Sequence, residues 1–399
     1  MQYKFYYLLT FIISFIISFD FFEYHPETKS EVEVSKETNK FIYNEIYVED
    51  NPVTQRIDSF FSTRYKLGAF SGAVLYSSHD TIYYKKSFGF GNRRKKDSLT
   101  VNSKFQLASV SKVFTAFGIM LLEKEGMLSF RDSLRKFFPE FPYDNITVHQ
   151  LLTHRSGLPN YMYAADELWL DNTNSTIDNC DMVDLFIAHQ PNQYYPPGKR
   201  YNYNNTNYAL LASIIEEVSQ TNYSDFMSKN IFTPLGMINT SVYNKSESEE
   251  NNEDVLGYIG WNRNAGNTYL NGVVGDKGIY STVEDMNKFS NAIFENYFFT
   301  KDEMNIAYQL YNKDLYKSDN YGYGWRINEL PDSSKIVYHM GWWKGFRSYF
   351  IRSLKDQKTI VVLSNDSRTG KISSNSLMDL FDIKYEKLGS TKSQIIKYK

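Results

Sequence analysis

The order of strand-like and helix-like patterns along the chain most strongly constrains its fold. Strand patterns occur in residues 71–90, mostly helical patterns fill about 127–260, and strand patterns return beyond about 265. A sheet must then be assembled from both ends of the chain, with a mainly helical domain inserted between them. We therefore predict an α/β (α+β) fold in which helices flank that sheet, and clefts between such parts often contain active sites.

The composition restricts the class of protein. The 399 residues carry 44 Lys+Arg and 46 Asp+Glu, a formal net charge of −2, and 17% are aromatic. Such a chain is neither disordered nor a basic nucleic-acid binder, so no nucleic-acid partner is expected. Cys180 is the single cysteine, which excludes an internal disulfide framework and a Cys-rich metal site. His149 and His154 are five residues apart and cannot share a helix face, so no metal site is expected.

The N-terminus resembles an export signal. Residues 1–22 place Lys4 before an uncharged, mostly apolar run, Phe5–Phe19, which is short for a membrane span and matches a signal-peptide core. No small-x-small cleavage site follows, so this segment is a signal peptide or a membrane anchor. We expect the protein to be exported, to the periplasm or the cell envelope. Residues 23–50 are predicted to be a polar linker, and 386–399 a basic tail.

A candidate nucleophile lies where a strand pattern meets an apolar helix pattern. Ser109-Val110-Ser111-Lys112 fits S-x-x-K, and residues three apart share a helix face, so the lysine can reach the serine hydroxyl. Serine is a weak nucleophile that needs such a partner. Ser133-Leu134-Arg135-Lys136 fits the same pattern, but it lies in a charged segment and is predicted to be a solvated helix face.

Two further short patterns contain residues that could complete a serine-hydrolase site. Tyr203-Asn204-Asn205 precedes the apolar helix pattern YALLASIIEEVS, and His339-Met340-Gly341 lies in a strand pattern before a Gly-containing turn. Each has competitors, such as Tyr143-Asp144-Asn145 for the first and Arg368-Thr369-Gly370 for the second. Neither pattern is decisive alone.

Five stretches in order, from about Asn51 to Leu380, resemble the β-lactamase-related serine hydrolases. They are FQLASVSKVFTA, ITVHQLLTHRSGLPNY, PGKRYNYNNTNYALLASIIEEVS, GDKGIYSTVEDMNKFSNAI and HMGWWKGF. That family comprises class C β-lactamases, D-alanyl-D-alanine carboxypeptidases, D-aminopeptidases and related esterases. The resemblance implies an antiparallel sheet with the β-lactamase/transpeptidase-like fold, formed by a catalytic domain over 51–385 with a helical subdomain at about 127–260.

The resemblance also implies roles for the residues of the three patterns. Ser109 would be the acylated nucleophile, with Lys112 as its proton-relay partner. Tyr203 would act as general base toward Ser109 and then as acid toward the leaving group. Asn205 would hold Lys112 and the amide of the substrate.

The third pattern would supply the strand edge along which the substrate lies. His339-Met340-Gly341 stands where many members have K-T-G, and the backbone N–H groups of Ser109 and Trp342 would form the oxyanion hole. A histidine in place of the lysine makes a second positive charge conditional on pH. In this position the chain departs from the β-lactamase pattern and resembles the peptidase and esterase members.

The resemblance therefore implies a serine hydrolase that forms an acyl-enzyme and needs neither metal nor organic cofactor. Its substrate would be a small molecule or peptide with an amide or ester bond, with D-amino-acid peptides first. The alternatives are a true class C-like β-lactamase and a non-catalytic envelope protein that binds peptidoglycan or penicillin. The sequence leaves the oligomeric state and the natural substrate open.

Other polar and aromatic residues receive structural interpretations. His154 is expected to brace a turn, and Asp276 and Lys277 are expected to decorate a loop bounded by glycines. Tyr201, Trp342 and Trp343 are candidates to border the substrate pocket, because they lie next to the proposed site in sequence.

Overall fold

The computed structural model describes residues 46–47, 51–169, 176–244, 255–260, 263–312 and 320–385. All of them belong to one unit, Lys40–Lys399. The predicted signal or anchor segment and the predicted basic tail lie outside the described residues, as does all of the predicted linker except Ile46–Tyr47. Among the described residues, no helix is both long and apolar enough to cross a bilayer.

The strands come in two groups separated by helices. They are β1 (Ile46–Tyr47), β2 (Gly72–Ser78), β3 (Thr81–Phe88), β4 (Phe90–Asn92), β5 (Asp97–Ser98), β6 (Phe105–Gln106), β7 (Ser241–Val242), β8 (Tyr258–Ile259), β9 (Arg263–Asn264), β10 (Ile279–Ser281), β11 (Asn320–Tyr321), β12 (Arg326–Glu329), β13 (Lys335–Trp343), β14 (Phe346–Ser353) and β15 (Lys358–Ser364).

The helices lie mostly between those groups. They are α1 (Pro52–Lys66), α2 (Ser111–Lys124), α3 (Leu134–Phe137), α4 (Val148–Leu152), α5 (Tyr161–Leu168), α6 (Asn179–His189), α7 (Asn205–Ser219), α8 (Tyr223–Met227), α9 (Val283–Phe294), α10 (Lys301–Ala307) and α11 (Ser374–Leu380).

The central sheet confirms the prediction that both ends of the chain contribute strands. Its order is β1-β3-β2-β15-β14-β13-β12-β11, so the C-terminal strand β15 pairs with the N-terminal strand β2. Every neighbouring pair is antiparallel except β1 and β3, which are parallel. The strand β1 falls within the predicted linker, two of whose residues therefore extend the sheet.

Helices cover both faces of this sheet. On one face, Ile57 and Phe61 of α1 and Leu377 of α11 pack against alternate residues of the sheet. On the other, helices α2 and α9 pack against the residues in between, and the rings of Phe114 and Phe289 stack with centroids 4.3 Å apart. The central strands are therefore buried on both faces, because successive side chains of a strand point to opposite sides of the sheet.

The helix α2 is buried on all sides, which explains its continuous apolar pattern. Every residue from Ser111 to Met120 is buried, because the helix packs against α7 and belongs to the same hydrophobic cluster as one face of the sheet. Gly126 follows the helix with φ of +72°, the left-handed conformation expected of a glycine just after a helix end. The division of the chain at about 127 and 260 remains a prediction.

Candidate active site

Ser109 lies in a strained turn that leaves it partly exposed at the start of α2. Strand β6 ends at Gln106, and a 3-10 turn, Ala108–Val110, leads into the helix. Ala108 has φ of +49°, a left-handed conformation that costs a residue with a side chain about 1–2 kcal/mol. Within residues 105–120, Ser109 is the only residue that is not buried. The turn therefore leaves Ser109 partly accessible to solvent within an otherwise buried segment.

Lys112 is held beside this hydroxyl by three hydrogen bonds. Its Nζ donates to Ser109 Oγ at 3.2 Å, to Asn205 Oδ1 at 2.8 Å and to the backbone oxygen of Asp276 at 2.7 Å. The side chain is fully buried. Three acceptors match the three protons of an ammonium group and fix its position.

Burial shifts the pKa values of Lys112 and Tyr203 in opposite directions. Desolvation lowers the pKa of Lys112 from 10.5 to about 8; the charge of Asp276 opposes this shift and that of Arg326 adds to it. Desolvation raises the pKa of Tyr203 to about 12, although a hydrogen bond with the Ser109 side chain and the charge of Arg326 oppose it. In both cases the charged form is the one that burial penalises.

Tyr203 and Asn205 are positioned by the start of helix α7. Asn204 caps this helix, since its side chain accepts a hydrogen bond from the backbone N–H of Thr206 at 3.0 Å. The buried His154 accepts a hydrogen bond from the Asn204 N–H at its Nδ1, at 3.1 Å, and its ring lies 4.4 Å from that of Tyr203. The expectation that His154 braces a turn agrees with these contacts.

His339 lies near Tyr203, on strand β13, with ring centroids 6.1 Å apart. Its Nδ1 is 2.9 Å from the Met340 backbone oxygen and its Nε2 is 3.2 Å from the Tyr321 hydroxyl. Desolvation, with the charges of Arg326 and Lys112, holds the pKa of His339 well below its usual value. The positive charge that the sequence left conditional on pH is therefore absent at neutral pH.

Gly341 allows strand β13 to approach the nucleophile turn. A Cβ at this position would lie 2.2 Å from the backbone oxygen of Leu107 and 2.2 Å from Ser348 Oγ, distances that no real side chain tolerates. Ser348 Oγ itself donates to the Leu107 oxygen at 2.5 Å. The glycine therefore places the backbone of β13 directly against the residues that precede Ser109.

The side chain of Trp342 lies on the opposite face of the sheet from this contact. Met340 and Tyr338 pack into the cluster under α1 and α11, and alternation puts Trp342 on the same face, where it is 64% exposed. Only its backbone can therefore take part at Ser109. Trp343 points the other way, and its Nε1 donates to Asn271 Oδ1 at 3.0 Å.

Arg326 is a site residue that the sequence did not reveal. It begins strand β12, and its guanidinium carbon lies 5.5 Å from the centre of the Tyr203 ring. Its charge contributes to the pKa values of Lys112, Tyr203 and His339. The one sequence signal for Arg326 was its position as a single basic residue in the otherwise uncharged strand pattern GYGWRI.

Asp276 and Lys277 are buried, so the expectation that they decorate a loop is wrong. Their exposures are 1% and 2%. Lys277 Nζ donates to the Tyr161 hydroxyl and to the Val273 oxygen, each at 2.7 Å, and lies 3.4 Å from Asp276 Oδ1. The glycines on either side admit a tight turn that folds both charges inward, and mutual pairing makes their burial tolerable.

The competing sequence patterns have structural roles. Ser133 caps helix α3 by accepting from the Arg135 N–H, and Lys136 pairs with Asp132 at 2.8 Å on the surface. Tyr143 bonds through its hydroxyl to the Pro191 backbone oxygen. In the described part of the chain, no group of His, Cys, Asp or Glu residues could hold a metal ion.

The fold and the partly exposed serine beside a buried lysine define a serine hydrolase. The chain belongs to the beta-lactamase family, whose model matches residues 57–377.

Three similar proteins illustrate this membership. Penicillin-binding protein 4* of Bacillus subtilis (strain 168) is 34% identical over 325 residues, covering 78% of this chain and 71% of its own. Protein flp of Staphylococcus aureus (strain MRSA252) is 26% identical over 341 residues, 79% of this chain, which spans only 63% of that relative. The crystal structure of a penicillin binding protein from Bacillus halodurans superposes with a TM-score of 0.70 at 26% identity, covering 84% of this chain and 99% of its own.

Proposed function

We propose that this serine hydrolase acts through an acyl-enzyme at Ser109 on an amide or ester, with D-amino-acid peptides as its leading substrates. The observation that supports this most strongly is the partly exposed Ser109, whose hydroxyl lies 3.2 Å from the buried Lys112 amine. In this proposal, Ser109 Oγ attacks the substrate carbonyl, and the leaving amine or alcohol departs with a proton. Water then releases the acyl group from the serine ester.

The pKa values favour Lys112 over Tyr203 as the acceptor of the serine proton. At pH 7, forming the neutral amine of Lys112 costs about 1 kcal/mol, whereas forming the phenolate of Tyr203 costs about 7 kcal/mol, at about 1.4 kcal/mol per pKa unit. We therefore assign the base role to Lys112. Tyr203 then acts as a neutral phenol that passes a proton between Ser109 and the leaving group.

The remaining predicted residues would bind and polarise the substrate. Asn205 fixes Lys112 through its Oδ1 and would hold the amide of the substrate, and the backbone N–H groups of Ser109 and Trp342 would receive the developing oxyanion. One such donor contributes about 3 kcal/mol to transition-state stabilisation. The close contact at Gly341 supports this arrangement, because it brings the strand that carries the Trp342 N–H against the nucleophile turn.

The charges around Ser109 favour a substrate that carries a carboxylate. Lys112, Lys277 and Arg326 bring three positive charges to this region, and Asp276 brings a negative one. A peptide with a free C-terminus would be attracted by the excess of positive charge, more so at low ionic strength. The similarity to penicillin-binding protein 4*, whose name states that it binds penicillin, supports a substrate that can acylate the serine.

A panel of substrates tests the proposal. We expect hydrolysis of a D-alanyl-D-alanine peptide or of a nitrophenyl acyl ester, faster than that of an L-alanyl-L-alanine peptide or a chromogenic cephalosporin, and its loss in Ser109→Ala. Fast turnover of the cephalosporin would show a class C-like β-lactamase instead. Slow acylation by penicillin without turnover of any compound would show a non-catalytic binding protein.

Tyr203→Phe is expected to lower kcat by about 10²–10⁴-fold, the range for losing one general acid–base group, with little change in melting temperature. Only the hydroxyl is removed, and the ring contacts with His154 remain. Steady-state kinetics and thermal unfolding measure both quantities. Tyr143→Phe is the matched control, since it removes a tyrosine hydroxyl from the competing Y-x-N pattern. An unchanged kcat in Tyr203→Phe would remove this tyrosine from the mechanism.

We also propose that the protein is exported to the periplasm or cell envelope, with residues 1–22 as the signal peptide or anchor and residues 51–385 as the catalytic domain. The apolar run Phe5–Phe19 after Lys4 supports this. Cell fractionation with N-terminal sequencing tests it, and recovery of the full-length protein only in the cytoplasm would contradict it.

A further inference from the structure

Two buried charges near Lys112 take no part in the proposed proton transfers. Asp276 and Lys277 lie in a turn between Gly275 and Gly278, whose φ angles are +95° and +97°. Burying an ion pair is costly unless each charge is paired and hydrogen-bonded, so its presence next to a reacting group requires an explanation.

The turn is connected to the reacting groups by one short contact. The backbone oxygen of Asp276 accepts a hydrogen bond from Lys112 Nζ at 2.7 Å, the shortest of the three contacts that hold that amine. Asp276 therefore acts on Lys112 in two ways, through a fixed carbonyl dipole and through the negative charge of its side chain.

Lys277 in turn controls Asp276. Its Nζ is 3.4 Å from Asp276 Oδ1, and the Tyr161 hydroxyl donates to Asp276 Oδ2 at 3.3 Å. The same Nζ lies 5.4 Å from the centre of the Tyr161 ring and 5.2 Å from that of Trp343. Tyr161 is on helix α5 and Trp343 is on strand β13, so Lys277 joins the helical side of the site to the substrate strand.

We propose that Asp276 and Lys277 are positioning residues that set the proton affinity of Lys112: Asp276 holds the protonated amine beside Ser109, and Lys277 limits that hold by partly neutralising the carboxylate. This inference rests on the proposed function, in which Lys112 must lose its proton to act as the base. An unpaired carboxylate would keep Lys112 protonated, and an absent one would leave the amine without its counter-charge.

Other groups that face Lys112 act in addition to this pair. The rings of Tyr203 and Tyr208 lie 5.2 Å and 5.8 Å from its Nζ, and the charge of Arg326 lowers the pKa of Lys112. His154 and His339 are buried, with pKa values well below the usual one, so both are neutral at the pH of interest. Among these charged groups, Asp276 raises the pKa of Lys112, whereas Arg326 lowers it. Neutralising Asp276 should therefore lower the pKa of Lys112.

The test is the pH dependence of covalent labelling by a fluorophosphonate, which reports activation of the nucleophile without a deacylation step. Wild-type labelling should rise with pH around a midpoint near 8. Asp276→Asn should move the midpoint down by about one pH unit, and Lys277→Met should move it up by about as much, at the low end of the roughly 1–3 units by which a nearby charge shifts a pKa. The double variant should return toward the wild-type midpoint, because the positive charge of Lys277 also repels that of Lys112 directly.

Lys288→Met is the matched control. Lys288 pairs with the buried Asp285 on helix α9, at 2.9 Å, but it contacts none of the groups around Ser109, so its loss should leave the midpoint unchanged. Shifts of the two single variants in the same direction, or lower rates at an unmoved midpoint, would overturn the inference and show a structural role only. If Lys277→Met does not fold, the double variant must still have a higher midpoint than Asp276→Asn. Absence of labelling at Ser109 in the wild type would instead overturn the proposed function.

Discussion

Ser109→Ala is expected to lower kcat on the best substrate by a factor on the order of 10⁶, the loss observed when the nucleophile of a serine hydrolase is removed. The melting temperature should change little, because Ser109 is partly exposed and Lys112 keeps its bonds to Asn205 and to the Asp276 oxygen. Steady-state kinetics, with thermal unfolding to confirm the fold, measures both.

Ser133→Ala is the matched control, since Ser133 begins the second S-x-x-K pattern. It caps helix α3, so its loss should cost about 1 kcal/mol of unfolding free energy and leave kcat unchanged. Comparable losses of activity in both variants would mean that the assay reports folding rather than chemistry. Full activity in Ser109→Ala would place the nucleophile elsewhere.

Lys112→Met is expected to lower the rate of acylation at pH 9 by about 10²–10⁴-fold, the range for losing one general acid–base group, and to abolish its rise with pH. The sign follows from burial: the pKa of Lys112 is lowered from 10.5 to about 8, so its neutral, proton-accepting form increases between pH 7 and pH 9. Tyr203 cannot replace it, since the pKa of this phenol is raised to about 12. Stopped-flow acylation from pH 6 to pH 10 measures the effect.

Lys136→Met provides the comparison for that measurement. Lys136 is exposed and pairs with Asp132, so its replacement should leave both the rate and the midpoint near 8 unchanged. A Lys112→Met variant that kept the wild-type pH profile would show that another group accepts the serine proton.

The architecture could be predicted because its signals are local and repeated. Strand patterns at both ends of the chain correctly indicated a sheet in which β15 pairs with β2. The apolar pattern after Ser109 correctly indicated helix α2, whose burial on all sides leaves little room for polar residues. The strand β1 was missed, because a two-residue strand depends on pairing with β3 rather than on its own sequence.

The geometry of the site could be predicted only in part. The residues Ser109, Lys112 and Asn205 meet as their patterns suggested, because helix spacing joins the first two and a helix start presents the third. The orientation of Trp342 was not readable, since a shift of one residue in strand register reverses the face of every side chain. Arg326 is brought to Tyr203 by the order of strands in the sheet, which no local pattern encodes.

Charge burial was the other feature that local sequence could not reveal. Asp276 and Lys277 have the composition of an exposed turn, and their burial depends on partners more than a hundred residues away, such as Tyr161. His339 is a similar case, because its neutral state follows from burial and from the charges of Arg326 and Lys112, which lie elsewhere in the sequence.

The site of covalent attachment tests the central claim most directly. Wild-type protein is incubated with a penicillin and with a fluorophosphonate at pH 9, and intact mass and peptide mapping then locate each adduct. We predict one adduct per chain, on Ser109, with both reagents. An adduct on another residue, such as Ser133 of the second pattern, or no adduct with either reagent, would contradict the account.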